Sequence, residues 1–298
     1  MSLATRSLLA LTLALAGCST STPLQPRASE ELSSLLRQER LRLELAPAER
    51  PLLRSATSMD GAQMTQDGQQ VAQSLSSMNQ GVVNAGSTDA GAAAVGIVLG
   101  SLLVTQLKRS GVEEKRQTEA DLAIAELIGL LEAPPRQDWL APSYAQALAE
   151  AGRAPSDSAA LTLRVAPQLV LSRDRRSVRL INEIKLLHGR GSLYEGRIEV
   201  HGAALACTDE CLQMWAADDG TALRRATDEL VRESVRVLLL DWQTENFRGL
   251  AGEERTLRYQ VGEERFVERG RLLALDSPSP LFLNLRGWVK SVPAPLEP

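Results

Sequence analysis

The segment Leu161-Thr-Leu-Arg-Val-Ala-Pro-Gln-Leu-Val-Leu171 decides the fold. Leu161, Leu163, Val165, Leu169 and Leu171 all occupy odd positions, with Arg164 and Gln168 opposite them. A period of two is the mark of a half-buried strand, because successive side chains leave opposite faces of the backbone. A turn at Ser172-Arg-Asp-Arg175 follows, and then Val178, Leu180, Ile184 and Leu186 take even positions. His188-Gly-Arg-Gly-Ser192 makes a second turn, and Tyr194, Ile198 and Val200 define a third strand. The three strands predict an antiparallel meander.

Downstream the period lengthens. Asp219-Gly220-Thr221 opens a helix over Ala222 to Trp242, whose Leu223, Leu230, Val235, Val237, Leu238 and Trp242 can cover one sheet face. Strands packed by one long helix predict an α+β core over residues 153–248. The remaining segment, 249–298, predicts short strands over Thr256–Val261, Arg265–Asp276 and Leu281–Val292, with Tyr259, Phe266 and Trp288 as packing residues. Its patterning leaves open whether these strands extend the same sheet.

Upstream, residues 29–152 predict a helical region. Leu32, Leu35, Leu36 and Leu43 have near-helical spacing over Ser29 to Leu45, and Pro47 and Pro51 end that segment. Ser55 to Asn84 is polar and reads as a helix or a loop. The stretch 90–107 carries no charge, and Thr88, Ala92, Gly96 and Gly100 recur every fourth residue. Such a small-residue row lets a second helix approach closely, either in a buried helical layer or in a membrane. Glu113 to Leu131 resumes an amphipathic helix, so the two segments predict a helical hairpin, with a shorter helix over Pro142 to Ala151.

At the start of the chain, Ser7 to Leu15 is an apolar run preceded by Arg6 and followed by the small residues Ala16 and Gly17. The run is roughly half the ~20 residues of a bilayer-crossing helix, so it predicts a signal peptide over residues 1–17. Leu15-Ala16-Gly17-Cys18 resembles the lipobox of bacterial lipoproteins. That resemblance implies acylation of Cys18, cleavage before it, and firm anchoring by several acyl chains. With Ser19 rather than Asp after the cysteine, it further implies the outer membrane of a Gram-negative cell, with the body in the periplasm. Residues 18–28 then form a proline-punctuated linker.

Hydrophobic residues make up 44% of the chain, enough for a sizeable core, whereas 3% aromatics disfavour a stacking platform for sugars or bases. Net charge is −4, so attraction to anionic polymers must be local. Such a feature exists between Arg164 and Arg197, where eight basic residues face three acidic ones. Arg173, Arg175, Arg176 and Arg179 are its candidate anion-binding residues, since guanidinium forks match phosphates and carboxylates of lipid headgroups, lipopolysaccharide or peptidoglycan. The same arginines could instead solubilise a sheet edge. Nucleic acid is excluded by compartment.

Cys207 and Cys211 remain once Cys18 is lipidated, and an even pair in an oxidising compartment predicts a disulfide at a bend. Two free thiols, or a zinc site recruiting His188 and His201, are the other arrangements open to that pair. No nucleophile elbow, phosphate loop, metal helix or dinucleotide fingerprint occurs, so neither a catalytic group nor a cofactor or metal is assigned. His188 and His201 read as solvated surface residues. The expectation is a non-enzymatic, outer-membrane-anchored assembly or interaction module. An oligomeric membrane or secretion-channel component using the 90–107 helix, and an envelope hydrolase without a recognised motif, are its alternatives.

Overall fold

The computed structural model describes residues 30–46, 51–57, 114–132, 139–242, 253–274 and 279–293. Cys18, Ala92, Gly96 and Gly100 lie outside them, as does the first limb of the expected helical hairpin. In chain order the elements are α1 (Glu30–Gln38), β1 (Leu41–Leu45), β2 (Leu53–Ser55), a helical stretch over 114–122, α2 (Ala125–Glu132) and α3 (Leu140–Glu150). They continue as β3 (Leu161–Leu171), β4 (Val178–His188), β5 (Gly191–His201), α4 (Cys211–Asp241), β6 (Arg255–Val261), β7 (Glu264–Ala274), β8 (Leu281–Asn284) and β9 (Val289–Ser291).

The alternating segments become the antiparallel meander β3–β4–β5, paired from Leu161↔His188 to Leu171↔Val178 and, with a register shift between Leu186 and Leu187, from Arg179↔His201 to His188↔Gly191. The tail joins the same sheet. β9 pairs with β5 in parallel, matching Ile198 with Val289 and Val200 with Ser291, and β8, β7 and β6 follow in antiparallel order. The fold is thus α+β, with a mixed sheet of nine strands and one long helix packed on it. The single strand expected over Leu281–Val292 is two strands, because Asn284 Oδ1 accepts the N–H groups of Arg286 and Trp288, both at 3.0 Å, and closes a tight turn.

The helical reading of Ser29–Leu45 stops early. Leu32 and Leu36 are buried on α1, but Leu41, Leu43 and Leu45 alternate with Arg42 and Glu44 and form β1, parallel to β3. Over five residues the two-residue period and the backbone partners offered by β3 prevail over helical spacing. Ser55, expected to begin a polar helix or loop, ends β2, which also lies parallel to β3. β1 covers Leu161–Val165 and β2 covers Leu169–Leu171, so Pro167 falls in the gap between them, where its missing N–H costs no edge hydrogen bond.

β2 is also held from its outer side. Ser55 N–H donates to Asp121 Oδ1 (2.8 Å), Gln117 Nε2 donates to the Ser55 carbonyl (2.9 Å), and Leu52 N–H donates to Glu132 Oε1 (3.1 Å). All three acceptors and donors come from the helical stretch 114–132, whose Ile124, Leu127 and Leu131 are buried as its apolar periodicity predicts.

One face of the sheet packs against α2, α3 and α4. Leu223, Leu230, Val231, Val235 and Leu238 of α4 meet Leu180, Ile184, Ile198, Val200, Leu283 and Val289 in one core. Inside it, Tyr144 O–H donates to Asn182 Oδ1 (2.7 Å) and Asn182 Nδ2 donates to Ser234 Oγ (2.6 Å). This chain ties α3, β4 and α4 together and satisfies the polar groups that burial would otherwise leave orphaned. α4 is interrupted at Ala217–Gly220, where Asp218, Asp219 and Gly220 have φ of 49°, 61° and 79°. The long helix therefore starts at Thr221, as the Asp-Gly-Thr sequence predicts, and a short helix carrying Cys211 and Trp215 precedes it.

Candidate functional site

The other sheet face is where ionisable groups meet. On β5, Ile198 and Val200 point to the helices, so Glu199 and His201 must point away from them. Arg179 on β4 and Lys290 on β9 share that face through the pairings Arg179↔His201 and Glu199↔Lys290. Two strands separate β5 from β7 in the sheet order, yet His201 lies edge-on to Phe266 (5.2 Å between centroids) and Tyr259 (5.5 Å). The sheet therefore curls until the β6–β7 hairpin covers β5 and β9. Leu257, Tyr259, Val261, Phe282 and Val292 form a second apolar core beneath the hairpin.

Glu199 is the centre of the cluster. Its Oε1 accepts from His201 Nε2 (2.9 Å) and from Arg179 Nη1 (3.2 Å), and its Oε2 lies 3.0 Å from Lys290 Nζ. Lys290 Nζ also reaches Glu268 Oε1 (2.7 Å), which accepts the Tyr259 hydroxyl (2.6 Å), while Glu268 Oε2 faces Asn284 Nδ2 (3.4 Å). Burial alone would raise the Glu199 pKa, but the His201 hydrogen bond and the charges of Lys290 and Arg179 outweigh it and hold the carboxyl well below the ordinary range. Burial pushes His201 the other way from its neighbour's pull. Desolvation exceeds the attraction of Glu199, so its pKa falls and the ring stays neutral with its proton on Nε2. Burial, reinforced by the negative charge and hydrogen bond of Glu268, raises the Tyr259 phenol well above its usual value.

Two cations and two carboxylates thus balance around a neutral imidazole. Glu199, His201 and Lys290 are 2%, 7% and 5% exposed, so the groups act on one another rather than on solvent. The arrangement fastens the hairpin to the sheet; its proton-transfer groups already have partners within the fold.

A second fastening lies at the hairpin tip. Asp174, in the β3–β4 turn, accepts from Ser172 Oγ (2.5 Å) and from the N–H groups of Arg176 (3.1 Å) and Glu263 (2.8 Å). Arg176 pairs with Glu263 (3.0 Å) and Arg173 with Glu264 (3.5 Å). Gly262 has φ of 61°, and a Cβ there would run into the Asp174 carboxylate. Only glycine permits both the backbone turn and the close approach.

The four arginines of the expected anion site do not converge. Arg173 and Arg176 pair with the hairpin tip, Arg179 belongs to the buried cluster, and Arg175 is exposed at φ 59° while its carbonyl accepts from Trp215 Nε1 (2.8 Å). Cys207 and Cys211 form a disulfide with Cα atoms 5.4 Å apart, at the bend before α4. His188 and His201 stand at opposite ends of β4 and β5, roughly 30 Å apart by strand rise, too far to share an ion with that pair. His201 is also buried rather than solvated, because the curled hairpin lies over it. Among the described residues no group of three His, Cys, Asp or Glu could hold a metal ion, and no helix is long and apolar enough to cross a membrane.

Patterning along each strand places Glu199 and Lys290 on the face away from α4. Their meeting depends on the parallel β5–β9 pairing, which no local signal announces. No protein family, curated protein or solved structure matches this chain.

Proposed function

We propose that this chain is a lipoprotein anchored in the outer membrane through Cys18, with its α+β body in the periplasm acting as a non-enzymatic interaction module of the cell envelope. The observation that carries the module reading is the closed state of the buried cluster. Glu199, His201 and Lys290, the groups best suited by burial to proton chemistry, hold the β6–β7 hairpin in place and are almost closed to solvent. Shape is then what the body offers. Support for the location comes from the lipobox resemblance and from the Cys207–Cys211 disulfide, which suits an oxidising compartment.

The test is metabolic labelling with an alkyne fatty acid, followed by density separation of membranes and crosslinking in intact cells. Wild type should carry the label, sediment with the outer membrane and give a discrete crosslinked adduct. Cys18→Ala should lose the label and the membrane association. An unlabelled wild-type protein in the cytoplasmic fraction would overturn the anchor, and a hydrolytic activity of the purified body on envelope polymers would overturn the module.

A further inference from the structure

The β6–β7 hairpin carries Arg255, Arg258, Arg265, Arg269 and Arg271 against Glu263, Glu264 and Glu268, an excess of two positive charges. The fold sorts these charges onto different surfaces. Glu268 turns inward to Lys290 and Tyr259, while Glu263 and Glu264 are drawn to Arg176 and Arg173 at the tip. On the outward side, Arg265, Val267, Arg269 and Arg271 share one face of β7, and Arg258 sits opposite Val267 on β6. Val267 is 65% exposed. Leu285, 56% exposed, stands beside Arg269 through the hydrogen bond from its N–H to the Arg269 carbonyl, and the exposed Arg286 follows it. Arg269 of this row also pairs with Glu254 at 2.8 Å.

We propose that this outward face docks on the anionic phospholipid headgroups of a bilayer. Side chains two apart on a strand stand about 7 Å from each other, so the arginines present an extended row of forks suited to several phosphates at once. Val267 and Leu285 project between them as apolar groups able to enter the headgroup boundary. Arg265, Val267, Arg269 and Arg271 are all exposed along one strand, which fits a surface rather than a single small ligand. The inference rests on the proposed envelope location only for where such a bilayer would be met; its chemistry does not require the acyl anchor.

The experiment uses the mature chain from residue 18 carrying Cys18→Ser, so that no lipid anchor contributes, with vesicles of phosphatidylcholine alone or with one-third phosphatidylglycerol. Binding should require phosphatidylglycerol and weaken as salt rises. The triple change Arg265→Ser, Arg269→Ser, Arg271→Ser should reduce partitioning roughly 100-fold. The same three positions changed to Lys should retain most of it, and Val267→Ser with Leu285→Ser should weaken it about tenfold. Equal binding by wild type and the Ser triple, equal binding to both vesicle types, or no binding by wild type would each overturn the proposal; the last outcome would assign the row to an acidic protein partner. Failure of fatty-acid labelling at Cys18 would leave the vesicle result intact, so the two readings fail separately.

Discussion

Asp174 accepts the backbone N–H of Glu263 at 2.8 Å, joining two turns that lie 89 residues apart in the chain. The β3–β4 turn and the β6–β7 turn are far apart in the sheet order, and this bond, with its flanking ion pairs, closes the curl that buries His201. The flanking Arg173 and Arg176 pairs are solvent-accessible and contribute at most about 1 kcal/mol each. Asp174 and Gly262 carry more of the junction.

Asp174→Ala should therefore lower the unfolding free energy by about 2 kcal/mol, since three donors lose their acceptor. Burial would raise the Asp174 pKa, but the Ser172 hydroxyl, the Glu263 and Arg176 N–H groups and the Arg176 charge lower it overall. Its contribution is then complete above the unfolded carboxylate value of about 3.9 and is lost as pH falls through the lower folded value. Gly262→Ala should cost about as much through its backbone and its clash. Urea unfolding reads both, and a Gly262→Ala protein as stable as wild type would break the link between the two turns.

Lys290 bridges Glu199 and Glu268, so Lys290→Met leaves a buried and a partly buried carboxylate facing each other with one cation fewer. The expected loss is about 3–5 kcal/mol. Adding Glu199→Gln to Lys290→Met should recover part of it, and a double-mutant cycle measures the coupling directly. Additive losses would show that the two groups do not act as a unit.

His201 makes stability depend on pH near neutrality. Burial lowers its folded pKa below the unfolded value of about 6.5, so the unfolded chain binds more protons between those two values. Stability should fall as pH drops from 7 through that window, and His201→Phe, which keeps the ring contacts with Tyr259 and Phe266, should flatten the slope there. Calorimetric melting from pH 5 to pH 7.5 decides it; an unchanged slope in the variant assigns the dependence elsewhere.

Reducing the Cys207–Cys211 bond should remove about 2 kcal/mol, the chain-entropy value for a five-residue ring. The short helix it begins carries the buried Trp215, whose Nε1–H donates to the Arg175 carbonyl. Loosening that helix exposes the indole, so a red shift of tryptophan emission should accompany reduction at temperatures below the main transition. Cys207→Ser should reproduce the shift without reductant.

Legibility followed the length of each pattern. Strands β3 and β4 keep a period of two along most of their eleven residues, β5 keeps it from Tyr194 to Val200, and α4 keeps its apolar stripe from Leu223 to Leu238, so their existence and order could be read directly. β1 and β2 are five and three residues long, too short for periodicity to outweigh the helical spacing of nearby leucines. The buried cluster escaped for a different reason. Glu199, Lys290 and Glu268 come from three strands, and each reads locally as a solvated charge until the parallel β5–β9 pairing and the curled hairpin bring them together. The Arg-rich turn was conspicuous in sequence because its acidic partners, Glu263 and Glu264, lie 87 and 91 residues downstream of the arginines they neutralise.

The discontinuous cover over β3 bears on how copies of this protein coexist. Wherever copies meet at high local concentration, an open sheet margin is the usual template for strand-to-strand aggregation. Here an intruding strand would find five residues of β1, a break at Pro167, and then the three residues of β2, where Asp121 holds the Ser55 N–H, Gln117 the Ser55 carbonyl, and Glu132 the N–H of the preceding Leu52. Removing those three side chains together would leave β2 bonded to β3 but give it a bare margin, and self-association would be the first symptom.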